Sequence, residues 1–525
     1  MKGVVAAGHP LTAEAGAKAL RAGGNAFDAA VTAVLASFAA EGPLTGLGAG
    51  GFMLAHVEGQ GDHLLDFFVE AGGRNLKVER RADLIALEVL FDDVPQVFNV
   101  GPASCGVPGT AAGLCEAARR WCTMPFGDLI QPAVELAREG VRVTPEHAYV
   151  FQILEPILTQ YPETRALYAP EARMLSTGDL LRFPDLADAL ESLAAEGPQW
   201  LYRGETARRI CEWVTERGGL LSPDDFAAYE VIERQPVVAA YRGLEVLTNP
   251  PPSSGGILIA FALDLLERLG DTAPCDDPDA LQLLVEVMAE AADARGADFH
   301  ERLHHEGFAA EFLSPARLER AVLQVAARVG SGRRAGGGGE ALGSTTHIST
   351  LDGDGNAASV TCSNGTGSGV MAPGTGVHLN NMLGEEDLNP LGFHRLSPGT
   401  RVTSMMAPTM VLRDGEVELS LGSAGSNRLR SAILQVVRYI FDCGMEVGDA
   451  VRAGRLHYEA ETLHAEPGFS PESLDELDRR GYRVVRWKGL NLYFGGAQAV
   501  RRDRATGEMS GAGDPRRGGA AAVVD

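Results

Sequence analysis

Residues 336 to 350, GGGGEALGSTTHIST, deliver a threonine hydroxyl from a glycine-rich stretch straight into an alternating, strand-like run. A threonine hydroxyl is a poor nucleophile until a base takes its proton. That base can be the residue's own α-amine, titrating near about 7.7 to 8.0, when the residue is the first of its chain. A chain that uses this device must first cut itself, which requires a hydroxyl residue at the start of a core strand and, before it, a tether loose enough to be strained, cleaved and moved aside. Residues 330 to 345 meet the requirement. Thr345 would attack the Ser344 carbonyl, an N-to-O acyl shift would form an ester, and water would release a new amino terminus.

Other candidate chemistry is weaker. His300, Glu301 and His304 spell HExxH, which on one helix places two imidazoles a turn apart with a carboxylate able to activate zinc-bound water. The third histidine of the longer zinc-protease pattern falls on Ala310, and the flanking ARGADF and HHEGF read as solvated, so a polar helix surface is expected. His347 shares a strand face with Thr345. It has no evident third residue to orient it, and a satisfied structural histidine is the expected role. GxSxG is absent. GLGAGGFML satisfies GxGxxG at Gly46, Gly48 and Gly51, yet a helix precedes it and a strand follows, the reverse of a dinucleotide fold. Close packing or turns are expected of these glycines instead.

The elements that must position this chemistry are readable in outline. The pattern predicts a helix over 12 to 22 with Thr12 as N-cap, then a helix over 26 to 41 whose apolar residues surround it and imply deep burial. From Gly109 to about Val329 the pattern is mainly helical, with Ser222 capping a helix that begins at Pro223. NPPPSSGG, residues 249 to 256, reads as a rigid turn that cannot be helix interior. Residues 330 to 343 are a flexible connector, after which TTHISTLDGDGNAASVTCS reads as a hairpin around DGDGN.

Composition bounds the rest. The 525 residues are 45% hydrophobic and 22% charged, as in an ordinary globular protein of about three structural units. A formal net charge of −24 opposes binding to nucleic acid or anionic membrane. With no apolar h-region at the start and no run of about 18 apolar residues, neither a cleaved export signal nor a membrane span is expected. Seven cysteines, at 105, 115, 122, 211, 275, 362 and 443, are odd in number and lack CxxC spacing, which suits reduced thiols in a cytoplasmic protein. Cys362 reads as a small buried hydrophobe.

The pieces GGNAFDAAV, GLGAGGFML, VPGTAAG, QPAVELAREG, NPPPSSGG, TTHIS, DGNAASVT, LNNM, SMMAPT and GSAGSNR occur in an order that resembles the γ-glutamyltransferase family of N-terminal-nucleophile hydrolases over essentially the whole chain. The resemblance implies an α/β fold, a four-layer αββα sandwich, autoprocessed into a large subunit, 1 to 344, and a small one, 345 to 525. It implies hydrolysis or transfer of an acyl group from small-molecule amides, γ-glutamyl compounds such as glutathione by default, to water or an amine. No cofactor or metal is implied, and the partner of each fragment is the other, with further pairing of processed units left open.

Residue by residue, the resemblance makes Thr345 the nucleophile and its own base, gives Ser363 the place of a family threonine that hydrogen-bonds it, and puts Gly425 and Ser426 at the paired glycines of an oxyanion hole. Serine there keeps the N–H but tolerates positive φ poorly. For the substrate, Thr403 and Ser404 match a hydroxyl pair, Asn364 a family asparagine, and Glu385 an aspartate, with Glu386 a close competitor. The sequence departs from the family at Phe68, where an arginine clamps the substrate carboxylate, and at Met382, where a glutamine stands. Arg74 or Arg401 is a candidate replacement cation. These departures make an acylase for glutaryl-like or other non-γ-glutamyl amides the alternative reading; a zinc peptidase and a non-catalytic binding protein are others.

Overall fold

Two antiparallel sheets lie face to face with helices on both outer sides, in a computed structural model that describes residues 2–76, 83–91, 94–270, 274–296, 298–331, 345–459 and 461–525. The connector at 330 to 343, and Ser344 with it, falls almost wholly outside the described residues.

The first sheet has seven strands. Its centre is the hairpin Thr346–Asp352 and Ala357–Ser363, flanked by Gly3–Ala7 on one side and Gly50–Val57 on the other. The second has six, centred on Thr409–Arg413 and Glu416–Ala424. Side chains alternate across each strand, so one strand feeds two cores. Val4 and Ala6 face the space between the sheets, with Phe52, Leu54 and Leu351. Val5 and Ala7 face the outer helices, with Met53, Ala55 and Ile348. Behind the second sheet a third core gathers helices Ser254–Leu269, Pro278–Asp293 and Arg428–Phe441. This is the αββα arrangement, and among the described residues no helix is long and apolar enough to cross a membrane.

The helix Ala26–Ala40 is buried along its whole length, as its pattern predicts, and Asn25 and Asp28 close its start with a reciprocal capping box. The DGDGN hairpin forms: Asp352 Oδ1 accepts from the backbone of Asp354 and Asn356, and Asp352 Oδ2 accepts from Ala26 N, fastening the turn to that helix. Ser222 caps Pro223–Ala227 with Asp225 reciprocating.

Four expectations need correction. The first helix runs Pro10–Arg21 and is capped by His9, because proline suits the first helical position; Thr12 is buried inside and serves the site described below. The region from Gly109 to about Val329 is mainly helical but, among the described residues, is interrupted by five strands: the two-residue Val141–Arg142 and Leu180–Leu181, and the longer Ile232–Arg234, Val237–Tyr241 and Leu244–Thr248. The signal of the last two was present in VVAAY-RG-LEVLT, two alternating runs around a two-residue turn in which Arg242 and Gly243 both take positive φ. Within NPPPSSGG, Ser254 to Gly256 form the first turn of a helix; Gly255 is needed there because any Cβ would strike the Met405 carbonyl. Finally, the cysteines are not all reduced. Cys275 and Cys443 form a disulfide with their Cα atoms 6.0 Å apart, joining segments from either side of Thr345.

Candidate active site

Thr345 immediately precedes the strand Thr346–Asp352 and lines a small cavity. The ladder pairs Thr346 with Cys362, which brings the next residue, Ser363, beside Thr345; the two hydroxyl oxygens are 3.3 Å apart. Ser363 Oγ also accepts from Gly365 N at 2.8 Å. Thr346 turns the other way and donates to Glu41 Oε2 at 2.6 Å. Glu41 is buried at the C-terminal end of the Ala26–Ala40 helix and takes a second hydrogen bond from Thr12 at 2.9 Å. Burial raises its pKa, while the hydroxyls of Thr346 and Thr12 and the nearby Arg517 guanidinium oppose the rise. Arg517 in turn donates to the Thr345 carbonyl at 3.4 Å. Arg517 thus holds the Thr345 carbonyl and Glu41 the neighbouring Thr346 hydroxyl, two charged residues that sequence reasoning did not single out.

His347 is no base for Thr345. Its ring lies between Thr361 Oγ1 at 2.8 Å and Ser349 Oγ at 2.9 Å, fully buried, and burial pushes its pKa down to about 3. Cys362 is fully buried, and burial pushes its thiol up, away from reactivity.

Gly425 and Ser426 follow the end of the strand Glu416–Ala424 and precede the Arg428–Phe441 helix. Both have positive φ, +124° and +49°, and among the described residues neither backbone N–H has an acceptor. Such strain costs a non-glycine residue about 1–3 kcal/mol. Ser426 offsets it with a hydrogen bond from its hydroxyl to Asp387 Oδ2 at 2.9 Å, a carboxylate bond of comparable worth. Asn427 Nδ2 holds the same oxygen at 3.0 Å. Ser426 and Asp387 both line the cavity with Thr345. Of the two, Ser426 alone lines the cavity; its unpaired N–H is a donor of the kind that stabilises a tetrahedral oxyanion, and Gly425 is not among the lining residues.

The remaining walls are Phe68, Met382, Glu385, Leu388, Ser404, Met405, Met406 and Leu429, with Gly365. Phe68 is stacked on Phe52 at 5.4 Å between ring centres. The loop carrying Met382 and Glu385 is knotted by two asparagines. Asn380 Nδ2 donates to the carbonyls of Gly48 and Gly106, and Asn381 is bonded to the N–H and hydroxyl of Thr366. Gly48 is close-packed rather than nucleotide-binding, since a Cβ would strike the His378 carbonyl. Glu385 is the buried acid of its pair and Glu386 is exposed. Burial pushes Glu385 up to about 7, against hydrogen bonds from Asn381 and Thr366.

Several sequence-derived site residues are not brought to the cavity. Asn364 is fully buried behind Ser363, its N–H bonded to the Leu44 carbonyl, and its amide does not line the wall. Thr403 donates its hydroxyl to the Leu388 carbonyl at 2.7 Å, leaving only Ser404 of the pair on the wall. Neither replacement cation arrives. Arg401 is buried against Asp66 at 3.5 Å, Glu70 at 3.3 Å and the Tyr229 ring, and Arg74 lies 3.8 Å from Asp225. Sequence reasoning missed Asp387 altogether; lying two residues past Glu385, in an acidic run, it was the only further signal. The HExxH segment is broken, because the helix Phe299–Arg302 ends before His304. Among the described residues no group of three or more His, Cys, Asp or Glu side chains is placed to hold a metal ion.

Residues 12–524 match the family described as Gamma-glutamyltranspeptidase. The chain is 32% identical to the glutathione hydrolase proenzyme of Escherichia coli strain K12, covering 98% of this chain and 90% of that one. It is 33% identical to the acylase ACY 1 proenzyme of Pseudomonas sp. strain V22, covering 92% and 88%. Among solved structures, the cephalosporin acylase from Bacillus halodurans superposes with a TM-score of 0.83 at 26% identity, over all of this chain and 96% of that one.

Proposed function

This chain belongs to the γ-glutamyltranspeptidase family of enzymes, and on that premise we propose that it is an autoprocessed amide hydrolase and acyltransferase with Thr345 as nucleophile. The observation that carries this is Thr345 itself: a residue lining a cavity together with Ser363, its hydroxyl 3.3 Å away, and with Ser426, whose backbone N–H is left unpaired. After scission at Ser344 the Thr345 amine takes the hydroxyl proton, Oγ1 attacks the amide carbon, and the oxyanion is held by the Gly425 and Ser426 N–H groups. The same amine, now protonated, hands its proton to the leaving amine. Water or an acceptor amine then attacks the acyl-threonine ester by the reverse sequence. Fragments 1 to 344 and 345 to 525 make one working unit.

The acyl group best suited to the cavity carries no negative charge at its far end. Two acids, Glu385 and Asp387, line the wall together with Phe68, Met382, Met405 and Met406, and among the described residues no arginine or lysine lines it. Leaving a substrate carboxylate in such a place without a cation costs roughly 2 to 5 kcal/mol. This supports the acylase reading for non-γ-glutamyl amides in its uncharged form and disfavours a glutaryl chain. A specific observation keeps γ-glutamyl compounds such as glutathione as the second reading, since Glu385 and Asp387 would welcome the α-ammonium while the α-carboxylate lacks its clamp.

Two measurements test this. N-terminal sequencing of the smaller fragment should begin Thr-Thr-His, with bands of about 36 and about 19 kDa on a reducing gel. Without reductant, oxidised protein should run as one band, because Cys275–Cys443 ties the fragments together. Among anilides, kcat/KM should fall in the order uncharged acyl, γ-glutamyl, glutaryl. An intact working chain would refute the nucleophile, and a glutaryl preference would refute the pocket assignment.

A further inference from the structure

Arg516 and Arg517 are adjacent in the chain and have opposite surroundings. Arg516 is buried and saturated: its guanidinium donates to Glu466 at 2.8 Å, to Asp514 Oδ1 at 3.1 Å and to the carbonyls of Val451 and Ala453. The Arg517 side chain has one hydrogen-bond partner among the described residues, the Thr345 carbonyl 3.4 Å from Nη1, and its Nε is buried without an acceptor. On its other side, Nη2 lies 3.9 Å from where a Cβ on Gly425 would stand. The guanidinium therefore reaches from the nucleophile's residue to the segment that follows the Glu416–Ala424 strand.

Among the described residues no acid pairs with this cation by contact. Asp514 is held by Arg455 at 2.6 Å and by Arg516 at 3.1 Å, and Glu41 by the hydroxyls of Thr346 and Thr12. Both attract Arg517 from a distance and Arg428 repels it; burial is the larger effect and pushes its pKa down to about 10, which leaves it charged at neutral pH. The imidazoles of His9, His147 and His347 are pushed by burial down to about 4, about 3 and about 3, so they are neutral there. Glu146 approaches at Gly518, and Glu385 and Asp387 face Thr345 across the cavity. Holding a guanidinium out of water without a paired carboxylate costs free energy, and such groups persist where the charge has a task.

We propose that Arg517 is a positioning residue for the Thr345 amine: its carbonyl contact fixes the first residue of the small fragment, and its charge keeps the liberated amine unprotonated at neutral pH. The proposal rests on the amide-hydrolase reading above. Bond lengths place the Thr345 nitrogen at most about 3.6 Å from its own carbonyl oxygen, hence within about 7 Å of Arg517 Nη1. A cation at that separation disfavours the ammonium form and lowers the amine from its usual 7.7 to 8.0 by about one unit. Glu385 and Asp387, across the cavity, act in the opposite sense. Only the free amine can take the hydroxyl proton, so a shift of one unit raises the competent fraction at pH 7 about fourfold.

Two titrations of processed enzyme test this. Reductive methylation modifies free amines, and mass spectrometry of the small fragment reads its first residue as a function of pH. The acidic limb of kcat/KM for an uncharged-acyl anilide reads the same group through turnover. Both midpoints should fall near about 6.8 in the wild type and near about 7.8 in Arg517→Gln. Arg517→Lys should keep the midpoint within a few tenths of the wild type, because it keeps the charge. A purely structural role would lower kcat in both variants and leave the midpoint unmoved, and that result overturns the proposal. So does a wild-type amine that titrates at about 7.7 or above, a measurement that needs no variant. A chain left whole at Ser344 removes the hydrolase reading and this proposal together, whereas a processed fragment with an ordinary amine removes this proposal alone.

Discussion

Thr345 and Ser363 stand at the ends of paired strands, and their spacing is set by a backbone ladder that does not depend on side-chain identity. Met382, Glu385 and Ser404, across the same cavity, stand on loops pinned by side chains: Asn380 and Asn381 for the first two, Ser253 and Ser254 at the Ser404 carbonyl for the third. A ladder holds the spacing of the residues it carries through conservative replacement. Loops pinned at a few asparagines and serines can change the residues between the pins without disturbing the sheet. Nucleophile and acyl selectivity are therefore separable, and each can be perturbed with the other left as a reference.

Removing the nucleophile should have the largest effect. Thr345→Ala leaves no hydroxyl for either the self-cleavage or the acyl-enzyme, so the purified chain should stay whole and turn over no anilide. Its fold should survive, because the strand begins at Thr346. A variant that is cut at Ser344 or retains turnover would break the comparison at its first term.

Glu41→Gln probes the cradle rather than the chemistry. The carboxylate takes hydrogen bonds from Thr346 and Thr12, and charged bonds of this kind contribute about 1.5–3 kcal/mol each. Weakening them should slow fragment formation and lower kcat for every acyl group by about ten- to a hundredfold. The ratios between acyl groups should stay put. If the ratios move as well, strand-borne and loop-borne functions are not independent.

Local signals were legible in the sequence, and distant ones were not. The DGDGN turn and the all-apolar helix after Asn25 are patterns within a few residues of one another. Glu41 meets Thr346 across 305 positions, and Cys275 meets Cys443 across 168; no periodicity encodes such meetings. Arg401 could be proposed as a replacement cation only while Asp66, Glu70 and Tyr229, which occupy it, were out of view. The same blindness hid Asp387, whose role depends on the left-handed turn at Ser426.

The smallest effect should appear in pH dependence, and it bears on the loop-borne wall alone. Burial raises Glu385 to about 7, so the group is neutral below that pH and anionic above it. A γ-glutamyl ammonium gains from the anionic form, whereas an uncharged acyl chain gains nothing. The ratio of kcat/KM for a γ-glutamyl anilide over an uncharged-acyl anilide should therefore rise as pH passes upward through about 7, by roughly tenfold, since a tenfold change corresponds to about 1.4 kcal/mol. Both rates depend equally on the Thr345 amine, whose titration cancels in the ratio. Glu385→Gln should flatten the rise. A ratio that is already level in the wild type would mean that the ammonium does not lie against Glu385, and would leave Asp387 as the acid facing the acyl terminus.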